Sequence, residues 1–135
     1  MDAELERVLE ALRDPTGETV VRAPAALAHR LQARLEEAGW AAVTVDRAPV
    51  FDRETLLHAL YQACELPAWF GFNWDALLDA LATWSARPGG GGALLFRDLD
   101  LLEERDPEVA ATFLELVEDA RGERQAPLRV VRLVR

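Results

Sequence analysis

Leu66-Pro67-Ala68-Trp69-Phe70-Gly71-Phe72-Asn73-Trp74-Asp75-Ala76-Leu77-Leu78-Asp79 is the stretch on which the reading of this 135-residue chain turns. It holds a proline that stops a helix, an aromatic loop, a glycine turn and an asparagine suited to capping the next helix. Two aspartates then follow four residues apart. Carboxylates at that spacing share one helix face, where like charges cost a few tenths of a kcal/mol. No arginine, lysine or histidine lies between His58 and Arg87 to offset them. An acidic pair beside a row of aromatics is arranged to receive a cationic surface.

Working outward, apolar periodicity places the other elements. Leu5, Val8, Leu9 and Leu12 mark a helix over 2–13, stopped at Asp14-Pro15-Thr16-Gly17. Thr19-Val20-Val21 centres a strand over 18–22. Pro24 suits a helix start, with Leu27, Leu31 and Leu35 carrying that helix to Gly39. A second strand covers 41–46, and Asp52 is placed to cap a helix over 53–65. The quoted stretch supplies a helix over 73–84, with Trp74, Leu77, Leu78, Leu81 and Trp84 as its buried stripe. Pro88 and the run Gly89 to Gly92 read as a flexible connection. The unbroken apolar run Ala93-Leu94-Leu95-Phe96 reads as a strand covered on both faces. Leu99 to Arg105 reads as a helical turn, Pro107 opens a helix over 107–121, and 128–134 is the last strand. Strands separated by helices imply parallel pairing with right-handed crossovers. The expected fold is therefore α/β, a two- or three-layer domain with three to four mostly parallel strands and packed helices.

Composition narrows the function. Half the chain is hydrophobic and its net charge is −9, which disfavours nucleic acid, whose binding needs a basic surface, and favours a basic protein partner. No apolar run reaches the roughly 18 residues of a membrane span. The acidic, amphipathic N-terminus is unlike a signal peptide; a cytoplasmic protein is the expectation. Cys64 is the single cysteine, excludes an internal disulfide, and reads as a buried, inert thiol. From Asp98 to Asp119 nine acids face one base, Arg105, whereas five arginines and one acid follow from Arg121 to Arg135. All fifteen basic residues are arginine, and the sequence offers no functional reason for it. The glycine run precedes a strand and lacks a following Lys-Ser/Thr, so it is no phosphate loop. His29 and His58 have no partner at ligand spacing, and neither metal nor cofactor is expected.

The pattern Leu-Pro-x-aromatic-aromatic-Gly-x-Asn-x-Asp-Ala-Leu-x-Asp-x-Leu over 66–81 resembles the barstar family, intracellular inhibitors of secreted ribonucleases. The element order from Trp40 onward is similar to that family's. The resemblance implies a barstar-like domain over 40–135, preceded by a helix-strand-helix extension over 1–39 packed on the same domain. It implies an inhibitor rather than an enzyme, of the immunity or antitoxin kind, that occludes a ribonuclease active site and is monomeric when free. Carried over by position, Asp79 is the family's phosphate-mimicking aspartate and Asp75 its helical neighbour. Trp69, Phe70, Gly71 and Asn73 form the contact loop and helix start, and Asp119 matches an acid on the penultimate helix. Phe72 stands where the family prototype has glutamate, Trp69 and Phe70 replace two tyrosines, and Leu78 replaces a tryptophan. These departures imply a partner other than barnase.

Other readings of the same residues exist. Asp75 lies in a first helical turn, where unpaired backbone N–H groups stabilise a carboxylate whatever its function; Asp79 lies past that turn. Asp119 could belong to a solvated helix face. The acidic helix could also serve a non-inhibitory module that binds a basic protein, and clustered carboxylates could serve a metal-dependent phosphohydrolase.

Overall fold

The computed structural model describes residues 2–85 and 89–135; Pro88 of the expected connection lies outside them. The elements are α1 (Ala3–Arg13), β1 (Val20–Pro24), α2 (Ala28–Glu37), β2 (Ala41–Val45), α3 (Arg53–Ala63), α4 (Trp74–Thr83), β3 (Gly92–Phe96), α5 (Leu99–Arg105), α6 (Pro107–Glu123) and β4 (Leu128–Val134). The strands form one sheet in the order β1-β4-β3-β2, parallel throughout.

Local chemistry sets the boundaries. Asp52 accepts from the Thr55 amide while the Thr55 hydroxyl accepts from the Asp52 amide, a reciprocal cap on α3. Asp106 caps α6 with Pro107 in its first turn. Pro24 does not open a helix: it closes β1, an edge strand that tolerates a missing N–H, and a 3-10 turn over Ala25–Leu27 leads into α2.

Alternation along the strands divides the core in two. Leu94, Phe96, Leu128 and Val130 face the side covered by α3, α4, α5 and α6. Ala93, Leu95, Val131 and Leu133 face α1 and α2 through Leu5, Leu9, Leu31 and Leu35. The result is a three-layer α/β domain in which β3 is buried at every residue.

The glycines before β3 are not a loose tether. Gly90, Gly91 and Gly92 are buried; the Gly91 carbonyl accepts from the Ala41 amide and the Gly92 amide donates to Pro127, both at 2.9 Å. A Cβ at Gly91 would lie 2.8 Å from the Trp40 indole, and one at Gly92 would lie 2.5 Å from that of Trp84. The missing side chains let these two rings lie against the backbone.

The arginines after residue 120 fasten the layers together. Arg121 donates to the Thr19 hydroxyl (2.6 Å) and the Gly17 carbonyl (3.0 Å), tying α6 to the start of β1. Buried Arg129 donates to the carbonyl of Asp14, the residue that closes α1. Buried Arg124 donates to the Leu81 carbonyl in the last turn of α4 at 2.7 Å. Cations are favoured at helix C-termini, and burial holds both guanidinium pKa values below the usual arginine range. Arg132 binds Glu103 through two nitrogens and also Asp100.

Candidate functional site

The loop and helix of the quoted stretch are held by short-range contacts. The Asn73 side-chain oxygen accepts from the Ala76 amide at 2.8 Å, capping α4, and its nitrogen reaches back to the Gly71 carbonyl at 3.3 Å. A Cβ on Gly71 would lie 3.1 Å from that nitrogen, so glycine preserves the latch. Phe72 takes a left-handed backbone (φ 50°), uncommon for a bulky side chain. Its ring sits 4.9 Å from Phe70, 5.0 Å from Tyr61 and 4.5 Å from His58. This aromatic cluster braces the entry to α4.

The two loop rings part company. Trp69 is 84% exposed and is the exposed large hydrophobic among the described residues. Burying the exposed part of a side chain of roughly 150–250 Å² at about 25 cal/mol/Å² would yield on the order of 3–5 kcal/mol gross, a gain the free chain leaves unrealised. Phe70, expected beside it as a second contact ring, is only 6% exposed. Its amide donates to the Pro67 carbonyl at 2.9 Å, and the ring turns inward to stack on Tyr61. Phe70 therefore supports the loop from beneath, with only a small part of it reaching the surface.

Asp75 and Asp79 are both exposed on α4. Among the described residues neither carboxylate takes part in an ion pair or a side-chain hydrogen bond; the Thr83 hydroxyl donates to the backbone carbonyls of Asp79 (3.3 Å) and Ala80 (3.4 Å), not to the carboxylate. The helix beneath them is pinned at both ends, by Asn73 and by Arg124. Asp119 is exposed on α6, which packs against α4. Its neighbour Glu118 is engaged by Arg121 at 3.2 Å.

A cleft of about 690 Å³ runs between the 64–71 segment and the second half of α4. It brings together Trp69, Phe70, Gly71 and Asp79; Asn73, Asp75 and Asp119 do not line it. Cys64 lies at its floor, and burial pushes that thiol up to about 12, leaving it protonated and inert at neutral pH. Glu65 also lines the cleft and is a residue the sequence pattern did not single out. It closes α3 in a left-handed turn (φ 50°), with Leu66 N–H donating to Tyr61 and Glu65 N–H to Gln62. Glycine normally fills that position. Its signal in the sequence was a charged residue where a helix ends before Leu-Pro.

Among the described residues no three His, Cys, Asp or Glu side chains gather so as to hold a metal ion, and no helix is long and apolar enough to cross a membrane. Fold and surface define a layered α/β protein that presents an acidic helix and an exposed indole on one face. A family model described as Barstar (barnase inhibitor) matches residues 40–133. The match spans well over half the chain, and the protein belongs to the barstar family. No curated protein matches it.

Proposed function

We propose that this protein is an inhibitor that occludes the active site of a ribonuclease, with Asp79 standing in for a substrate phosphate. The observation that carries the reading is the uncommitted carboxylate of Asp79 beside the exposed Trp69, on a helix fastened at both ends. A ribonuclease gathers cations to hold RNA phosphates. A carboxylate already fixed in place loses little entropy on meeting them, and charge-assisted hydrogen bonds in a water-excluded contact are the strong ones. Asp75, one turn earlier, deepens the negative potential, and Asp119 extends it onto α6. Trp69 supplies the apolar anchor, while Phe70, Gly71 and Asn73 hold the loop in shape. The net charge of −9 accelerates encounter with a basic enzyme, an advantage that fades as salt rises. The role needs neither a cofactor nor a catalytic group, and the partner is a basic protein rather than nucleic acid or membrane.

The test starts from a basic ribonuclease captured on the immobilised chain in an extract of its own host. RNA cleavage by that enzyme should stop at one equivalent of the wild-type chain and resume with Asp79→Ala, whose Tm stays at or slightly above wild type. Full inhibition by Asp79→Ala, or a loss of inhibition that merely tracks unfolding, would contradict the assignment.

A further inference from the structure

The cleft below Trp69 has a chemical character of its own. Among the described residues its charged lining is acidic, Glu65 on the 64–71 segment and Asp79 on α4, while Trp69, Phe70 and Trp84 add ring surface and Thr83 a hydroxyl. No basic side chain lines it among the described residues. Its volume of about 690 Å³ falls within the ~300–1,000 Å³ of small-molecule sites, more than enough for one long side chain. Glu65 keeps its place although its left-handed backbone favours glycine, so the turn carries a charge that the fold alone does not call for.

We infer that this cleft receives a single arginine side chain projecting from the surface of the protein partner. The guanidinium lies between the carboxylates of Glu65 and Asp79, and its flat face rests on the Trp69 indole. Arginine fits better than lysine because its planar fork meets carboxylates through paired N–H groups, stacks on rings and is weakly hydrated. A neutral side chain would leave both acids unanswered in a drying cleft, which is costly. The inference rests on the docking role proposed above for Asp79 and Trp69, and it adds Glu65 as the residue that selects what docks.

The experiment follows the Trp69 indole N–H and the Glu65 and Thr83 amides by NMR at low salt. The full chain is titrated with a capped Gly-Arg-Gly peptide and with its citrulline and lysine counterparts. Arginine should give saturable shifts, lysine weaker ones and neutral citrulline none. Glu65→Gln should weaken the arginine peptide about tenfold. Glu65→Gly should weaken it similarly while raising Tm by about 3 °C through relief of the turn. Equal response to citrulline, no change with Glu65→Gln, or no saturation below roughly 50 mM would overturn the inference. Tighter binding of free arginine than of the capped peptide would also overturn it, since the occupant would then be a metabolite. Saturable peptide binding without inhibition of any ribonuclease removes the inhibitor reading and leaves the cleft assignment standing. Asp79-dependent inhibition with a silent peptide removes the cleft assignment alone.

Discussion

Two acidic helices on the same side of the sheet treat their charges in opposite ways. On and beside α5, Asp98 pairs with Arg97, and Asp100 and Glu103 share Arg132. On α4, Asp75 and Asp79 have no ionic partner among the described residues, although they repel each other across one turn. A chain that ties Asp98, Asp100 and Glu103 to arginines, yet leaves these two on a helix pinned at both ends, separates structural from available charge. The exposed indole of Trp69 sits with the available set. Arg132, held mostly out of solvent by its partners, belongs to the structural one; its Glu103 and Asp100 hydrogen bonds raise its pKa.

The contrast can be broken by substitution. Arg132→Met leaves Asp100 and Glu103 unanswered and should lower stability by about 1–2 kcal/mol, allowing for their partial exposure; urea unfolding measures it. Asp52→Ala removes the α3 cap and should cost about 1 kcal/mol at neutral pH. The Thr55 amide, then the Thr55 hydroxyl, hold the Asp52 carboxyl below its usual range of 3.8. Its contribution is therefore complete above the unfolded pKa and fades as pH falls through the lowered folded value. The gap between Asp52→Ala and wild type should narrow in acid, and a gap unchanged at low pH would place the loss in packing. Asp79→Asn is the smallest case. Removing one of two like charges should leave stability unchanged or raise it by a few tenths of a kcal/mol, and a clear loss would mean that the carboxylate has a structural partner.

Much of this architecture was legible because its causes are local. Asp52 and Asn73 announce helix starts through bonds spanning three residues and Pro107 through its fixed backbone angle, and the apolar periods mark the strands and helices they flank. The resemblance over 66–81 identified the family that the match to residues 40–133 establishes. What stayed hidden depends on partners far along the chain. The arginine excess after Arg121 has its explanation in Gly17, Thr19, Asp14, Leu81, Asp100 and Glu103, none of which is a sequence neighbour. Gly91 and Gly92 look like a hinge until Trp40 and Trp84 are seen lying on them. Phe70 reads as a twin of Trp69, but Tyr61 and Phe72 draw it inside. Glu65 escaped notice because a left-handed turn is a property of the backbone, and its residue is not the glycine such turns favour.

The division between structural and available acids is tested most directly by calorimetric titration of the captured ribonuclease with two single variants, Asp79→Ala and Asp100→Ala. The account predicts that Asp79→Ala weakens binding by about a hundredfold or more, the scale for removing one partner of a desolvated charge pair, with no loss of Tm, while Asp100→Ala leaves affinity near wild type. Equal losses for the two variants, or wild-type affinity for Asp79→Ala, would contradict it.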